Sequence, residues 1–235
     1  MFFFDREIMI YVNHFAQHSW TFDKTMTFIA YNNLIKSSII VAIFWWAWFK
    51  NKDRNSHDRE YIITTLCSSI FAIFLARGLA LTLPLRLRPI HEASLHFLLP
   101  YGEEVTALDG WSAFPSDHAV LFFTLATGLC FVSRWAGIFA LAYTIFIICF
   151  PRIYLGLHYP TDAVGGAVLG VAISMAANIC LARNKYVKLI EGWSYSRPEF
   201  FYPLFFLLTY QIADMFDNSR ALAGALLKLK IVVGC

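Results

Sequence analysis

From Asp117 to Pro151 the chain reads DHAVLFFTLATGLCFVSRWAGIFALAYTIFIICFP. Two apolar runs, about 117–133 and 136–151, are divided only by a short break at Arg134. Each approaches the roughly 20 residues that a helix needs to cross the hydrocarbon core of a bilayer. In lipid no water is at hand to satisfy a free amide, so a run of this kind must bond its own backbone as a helix. Working outward, similar runs occupy about 34–49, 60–83 and 161–182. A sixth, about 200–216, contains Pro203 and is followed by a short amphipathic tail to Cys235. The expectation is an all-α, polytopic membrane helical bundle of about six transmembrane helices.

Composition agrees with that reading. The chain has 58% hydrophobic, 17% aromatic and only 15% charged residues, far from the balance of a soluble domain. A formal net charge of +3 from scattered basic residues gives no basic face for nucleic acid. Neither repeats nor low-complexity tracts appear, so 1–235 is read as a single membrane-embedded domain. The first roughly 30 residues mix apolar positions with Asn13, His14, His18, Asp23 and Lys24, which suits an amphipathic lead-in lying at the interface. Asp5, Arg6 and Glu7 stand where a secretory signal would carry its apolar core, so the N-terminus is expected to be retained. Cys67, Cys130, Cys149 and Cys180 lie in apolar segments and read as small hydrophobes. Trp45, Trp46 and Trp48 sit near a span end, as an interfacial aromatic belt would.

Cytoplasmic loops are enriched in Lys and Arg. Lys50, Lys52, Arg54 and Arg59 follow the first span, Arg134 the third, and Arg183, Lys185, Lys188 and Arg197 the fifth; together they are nine of 19 basic residues. These loops are expected on the cytoplasmic side. The 84–116 loop, the 152–160 connection and both termini then share the outer side, although Arg220, Lys228 and Lys230 oppose the rule.

Three segments at that outer rim carry chemistry: Arg86-Leu-Arg88-Pro89, Phe114-Pro-Ser-Asp-His118, and Pro151-Arg152 through His158-Tyr-Pro-Thr-Asp162. Ionisable residues near hydrocarbon are costly unless paired or facing water, which makes them functional candidates. The Arg fork matches phosphate oxygens and stays charged, so Arg88 and Arg152 lead as phosphate clamps. Pro115 and Ser116 open an apolar run as a helix start would, presenting first-turn N–H groups and a hydroxyl to an anion. His158 and Asp162 are four apart, with Pro160 suited to a helix's first position, so the carboxylate can orient the imidazole. An oriented neutral imidazole can attack phosphorus and form a covalent intermediate, with His118 as general acid and then base. His91, His96, Glu103, Glu104 and Asp109 read as ordinary solvated loop residues. No metal or other cofactor is expected, since Glu103 and Glu104 have no partner at ligand spacing. Gly166 and Gly170 form a G-x-x-x-G pair, which fits either a neighbouring helix of the same chain or a homodimer.

These residues resemble the type-2 phosphatidic acid phosphatase superfamily, whose motifs are K-x6-R-P, P-S-G-H and S-R-x5-H-x3-D. Arg88-Pro89, Pro115-Ser116-x-His118 and Arg152-x5-His158-x3-Asp162 match in order and spacing, over a core of about 77–170. The resemblance implies His158 as nucleophile, His118 as acid/base, and the arginines with Ser116 as the phosphate cradle. Three positions depart from the pattern. Leu81 stands where the first-motif lysine belongs, leaving Arg77 or Arg86 to replace it. Pro151 replaces a Ser, and Asp117, grouped here with the phosphate-binding residues, replaces Gly. The P-S-D-H variant is similar to bacterial undecaprenyl-diphosphate phosphatases. It implies hydrolysis of undecaprenyl diphosphate at the outer face of a bacterial inner membrane. Rival substrates are phosphatidylglycerophosphate, phosphatidate and lipid A. Rival activities are those of a lipid phosphotransferase and of a non-catalytic lipid-phosphate binder or transporter.

Overall fold

The computed structural model describes residues 2–50, 56–220 and 222. Lys52, Arg54, Lys228, Lys230 and Cys235 lie outside the described residues, as does most of the expected tail. All regular structure among the described residues is helical: α1 (Phe3–Asn13), α2 (Trp20–Tyr31), α3 (Ile39–Lys50), α4 (Asp58–Thr82), α5 (Asp117–Val132), α6 (Arg134–Tyr143), α7 (Phe150–Tyr154), α8 (Pro160–Cys180), α9 (Lys185–Ser196) and α10 (Pro198–Ala213). Two π-helical segments, Leu34–Ser38 and Thr144–Cys149, lead into α3 and join α6 to α7.

Three helices are long and apolar enough to cross a membrane: α4, α8, and the continuous rod Arg134–Tyr154 formed by α6, its π segment and α7. A fourth passes only as a bent pair, α2 with Leu34–Lys50, turned by 60°. The expected count of six is therefore not reached by length and hydropathy. α5 is apolar but has 16 residues, about 24 Å at 1.5 Å per residue, and α10 also has 16 with Pro203 inside it. The lead-in comprises α1 and α2, with α2 set at 60° to the segment that follows it. The basic stretch 185–196, read as part of a loop, is the amphipathic helix α9.

The centre of the bundle is α5, packed on α4, α6 and α8. Leu121, Phe122, Leu125, Ala126 and Leu129 are wholly buried. Lipid tails are as apolar as these side chains, so cohesion here comes from close packing and interhelical hydrogen bonds rather than from escape from water. The glycines show how close the packing is. A Cβ on Gly166 would lie 2.7 Å from Ala119 Cβ and 2.8 Å from Ser116 O, and one on Gly170 would lie 2.4 Å from Val120 O. The G-x-x-x-G face of α8 is thus seated on α5 of the same chain. α4 and α8 are tied by Asn178, whose amide donates to Thr65 Oγ1 at 3.1 Å and to Ser174 O at 2.9 Å.

Trp48 does not sit in an aromatic belt. It is fully buried, stacked on Phe201 at 5.4 Å between ring centres, with the Arg59 guanidinium 5.0 Å from its ring. Trp46 is exposed, as the belt reading requires.

One end of the bundle gathers the last turns of α4, the start of α5, the end of α7 and the start of α8. α1 docks at the same end through Asp5, which is buried and accepts from Thr161 N at 3.0 Å and Thr161 Oγ1 at 2.6 Å. The residues after α10 return there as well, with Met215, Asp217 and Arg220 lining a cavity between these helix ends.

Candidate active site

The cavity, of about 510 Å³, is also lined by His118, His158, Arg77, Arg88 and Arg152. These residues are up to 81 positions apart in sequence, and the ends of four helices bring them together.

His158 is buried between α7 and α8. Its Nδ1 lies 2.9 Å from Ala113 O. A carbonyl only accepts, so Nδ1 carries the proton and Nε2 keeps its lone pair. Nε2 is 3.4 Å from Arg88 Nη1. Asp162 Oδ2 is 3.8 Å from Nδ1, beyond hydrogen-bond range, so the carboxylate acts on the ring through its charge. Its direct partners are Tyr159 N, which donates to Oδ2 at 2.7 Å, and Arg86 Nη1, which donates to Oδ1 at 2.5 Å. The expected orientation of the imidazole by Asp162 is therefore shared, because the Ala113 carbonyl takes the Nδ1 proton while Asp162 stands 3.8 Å away. Burial pushes the His158 pKa below its ordinary 6.5, Asp162 partly opposes this, and Arg88 and Arg152 add to the fall. The resting ring is accordingly neutral at neutral pH.

His118 occupies the first turn of α5. Its Nδ1 lies 2.8 Å from Asp117 Oδ1, which assigns the proton to Nδ1 in the same way. Nε2 is buried with no hydrogen-bond partner among the described residues and belongs to a cavity-lining ring. Asp117 also accepts from the His118 backbone N–H at 2.8 Å. A carboxylate has no donor to offer phosphate, so its geometry is that of an orienting partner for His118 and not of the phosphate ligand expected from the sequence.

Arg88 is held by three carbonyls: Nη1 donates to Leu157 O at 2.5 Å, Nε to Trp111 O at 3.2 Å and Nη2 to Ser112 O at 3.2 Å. The guanidinium thereby pins the outer loop to the His158 loop. Burial pushes its pKa down to about 10, which leaves it charged. Arg152 is buried; Nη2 donates to Ala30 O at 3.4 Å, and Nε has no hydrogen-bond partner among the described residues. Arg77 donates from Nη2 to Met215 O at 2.9 Å, while its buried Nε and Nη1 have no hydrogen-bond partner among the described residues. A guanidinium whose buried N–H groups are unsatisfied is poised for an anion, since each such group costs about 1–3 kcal/mol.

Two expected phosphate ligands lie elsewhere. Arg86 is not among the cavity-lining residues. Its Nη2 donates to Asp5 Oδ2 at 2.6 Å and its Nη1 to Asp162 Oδ1, and the guanidinium carbon sits 4.5 Å from the Tyr159 ring centre. Two buried carboxylates occupy the donors that a cavity anion would need. Ser116 caps α5, its Oγ accepting from Ala119 N at 3.4 Å, and it too is absent from the lining.

Several residues escaped the sequence reading. Lys36, on the first π segment, is 5% exposed and lines the cavity; the available signal was a lone cation inside the apolar run 34–49. Tyr31 also lines it and donates to Glu103 Oε1 at 2.6 Å. Glu103, read as a solvated loop residue, is buried, and burial pushes its pKa up. Asp23 is buried where three segments meet, accepting from Gln17 N at 3.0 Å, Tyr101 N at 2.9 Å and Tyr154 Oη. Among the described residues no three of His, Cys, Asp and Glu gather as metal ligands.

Known proteins are similar to this chain. It is similar to YbjG, a putative undecaprenyl-diphosphatase of Escherichia coli (strain K12), 32% identical over 84 residues, covering 34% of this chain and 42% of that protein. It is similar to undecaprenyl-diphosphatase BcrC of Bacillus subtilis (strain 168), 23% identical over 171 residues, 71% of this chain and 79% of that one. Among solved structures, a transmembrane PAP2 type phosphatidylglycerolphosphate phosphatase from Bacillus subtilis aligns with a TM-score of 0.47 at 19% identity, over 77% of this chain and 86% of that one. The match to YbjG spans less than half of that protein's length. Residues 62–186 match the PAP2 superfamily, more than half of the 235, and the chain belongs to that superfamily.

Proposed function

We infer that the protein is a multi-pass membrane phosphatase that releases phosphate from a lipid through a phosphohistidine on His158, with undecaprenyl diphosphate as the substrate. The observation that carries the reading is the pair of buried imidazoles facing one cavity, each with Nδ1 engaged and Nε2 turned to the substrate space. A binder would need the arginines but no such pair.

The chemistry follows from the tautomers. His158 Nε2 uses its lone pair to form a P–N bond as the phosphorus–oxygen bond to the leaving group breaks. His118, protonated at Nε2 when substrate is bound, delivers that proton to the departing oxygen. Ala113 O and the Asp162 charge stabilise the positive charge that grows on the His158 ring. Arg88 and Arg152 hold the equatorial oxygens, whose charge is where stabilisation counts most in phosphoryl transfer. In the second half, now neutral His118 takes a proton from water, the water oxygen attacks phosphorus and the P–N bond breaks, restoring both histidines. The undecaprenyl diphosphate assignment draws on the P-S-D-H sequence and on BcrC. The basic-loop count supports an active site facing the periplasm or cell exterior of a bacterial inner membrane.

Phosphate release by the detergent-purified protein with EDTA present tests the reading, comparing undecaprenyl diphosphate with phosphatidylglycerophosphate, phosphatidate and lipid A. A preference for the diphosphate supports it. Preference for another lipid reassigns the substrate, and release from none removes the hydrolase reading.

A further inference from the structure

Four cavity-lining cations remain for a substrate: Lys36, Arg77, Arg88 and Arg152. Arg220, also in the lining, is paired with Asp217. The other lining carboxylate, Asp117, serves His118, so the five cations of the lining face two carboxylates. The surplus is about three positive charges. A phosphate monoester brings at most about two negative charges, and a diphosphate ester brings one more.

The cations divide by place. Arg88 Nη1 is 3.4 Å from His158 Nε2 and Arg152, on α7 six residues before His158, lines the same cavity, where the attacked phosphorus must sit. Arg77 is on α4, 3.9 Å from Asp117 and 3.7 Å from Asp217. Lys36 comes from the π segment before α3, and among the described residues its ammonium has no hydrogen-bond or ion-pair partner. Nearby carboxylates are committed elsewhere: Asp214 accepts from Asn33 Nδ2 at 3.2 Å and Asn218 N at 2.8 Å. The Lys36 side chain is nearly enclosed and its residue lines the cavity, where an anion would partner its ammonium. π-helical turns, each of which inserts one residue into a helix, recur at functional sites. Leu81, where the superfamily pattern has lysine, is 77% exposed and is not among the cavity-lining residues.

We propose that Lys36 and Arg77 form a second phosphate subsite that holds the phosphate not under attack, making the cavity selective for a lipid diphosphate over a monophosphate. This rests on the phosphatase reading for its biological meaning, but binding alone can test it. The probes are inorganic pyrophosphate and orthophosphate, with affinities read from thermal protection of the full chain in detergent. Wild type is expected to bind pyrophosphate at least tenfold more tightly than orthophosphate. Lys36→Met and Arg77→Met should each erase most of that preference, Lys36→Arg should keep it, and Arg88→Lys should weaken both anions together. In turnover, Lys36→Met should lower the ratio of kcat/KM for a polyprenyl diphosphate over its monophosphate at least tenfold. A preference within twofold of wild type in Lys36→Met, or equal weakening of both anions, overturns the subsite; if Lys36→Met does not fold, Arg77→Met and Lys36→Arg decide by the same ratio. A wild type that shows the preference yet releases no phosphate from any lipid would sink the hydrolase reading and leave the subsite standing.

Discussion

At His158 the proton on Nδ1 is held by Ala113 O at 2.9 Å, and burial keeps the ring neutral. A folded pKa below 6.5 means the neutral, nucleophilic form persists into acid where a free imidazole would already be charged. In histidine-labelled protein without substrate, the His158 resonance should titrate below pH 6.5; titration above it would contradict the buried, carbonyl-held geometry. Arg86 makes a different case. It neutralises Asp5 and Asp162, both fully buried, so Arg86→Ala strands two carboxylates. That change should cost roughly 3 kcal/mol of stability, seen as a large fall in thermal midpoint, with phosphate affinity altered less than in Arg152→Ala. Leu81→Lys, at a 77% exposed position, should be tolerated. Arg88, Arg152, His118 and His158 are legible as candidates because their spacing is local and chemically specific. The surroundings of Arg86 and Lys36 are not legible, because they come from far along the chain: Asp5 is 81 residues from Arg86.

Among the elements, α5 sets the site by carrying His118 on its first turn while its body is clasped by α4 and α8. Gly166 and Gly170 allow that clasp, since a Cβ at either would meet α5 backbone oxygens at 2.8 and 2.4 Å. Gly166→Val should therefore cost about 1–3 kcal/mol from overpacking and lower turnover by shifting Ser116 and the α5 start. Thermal unfolding in detergent together with kcat measures both; an unaffected protein would mean that α8 is not seated on α5 through this face. The helical elements were largely readable from their apolar runs. Their ends were not. The 60° bend between α2 and the next segment and the two π turns arise from hydrogen-bond shifts that hydropathy does not register. α5 is short because its neighbours, rather than its own length, cover it.

For the whole molecule, the 84–116 loop, the α7–α8 connection, α1 and the segment after α10 meet at one end of the bundle. What joins them includes buried carboxylates, Asp5, Asp23 and Glu103, of which the sequence reading took Glu103 for a solvated loop residue. Asp23 takes donors from the α1–α2 link, the outer loop and α7, so Asp23→Ala leaves three polar groups unsatisfied. It should lose roughly 3 kcal/mol and loosen the loop that carries Arg88. Amide exchange at Tyr101, faster in the variant, would report that release. On the proposed mechanism these converging pieces make and break a phosphorus–nitrogen bond at His158. The most direct measurement is rapid acid-free quenching of the purified protein with undecaprenyl diphosphate labelled in its terminal phosphate, followed by mapping of the labelled peptide. The expected result is transient, acid-labile and base-stable label on the peptide containing His158, increased in His118→Asn and absent in His158→Ala. Turnover without such label, or label that persists in His158→Ala, would contradict it.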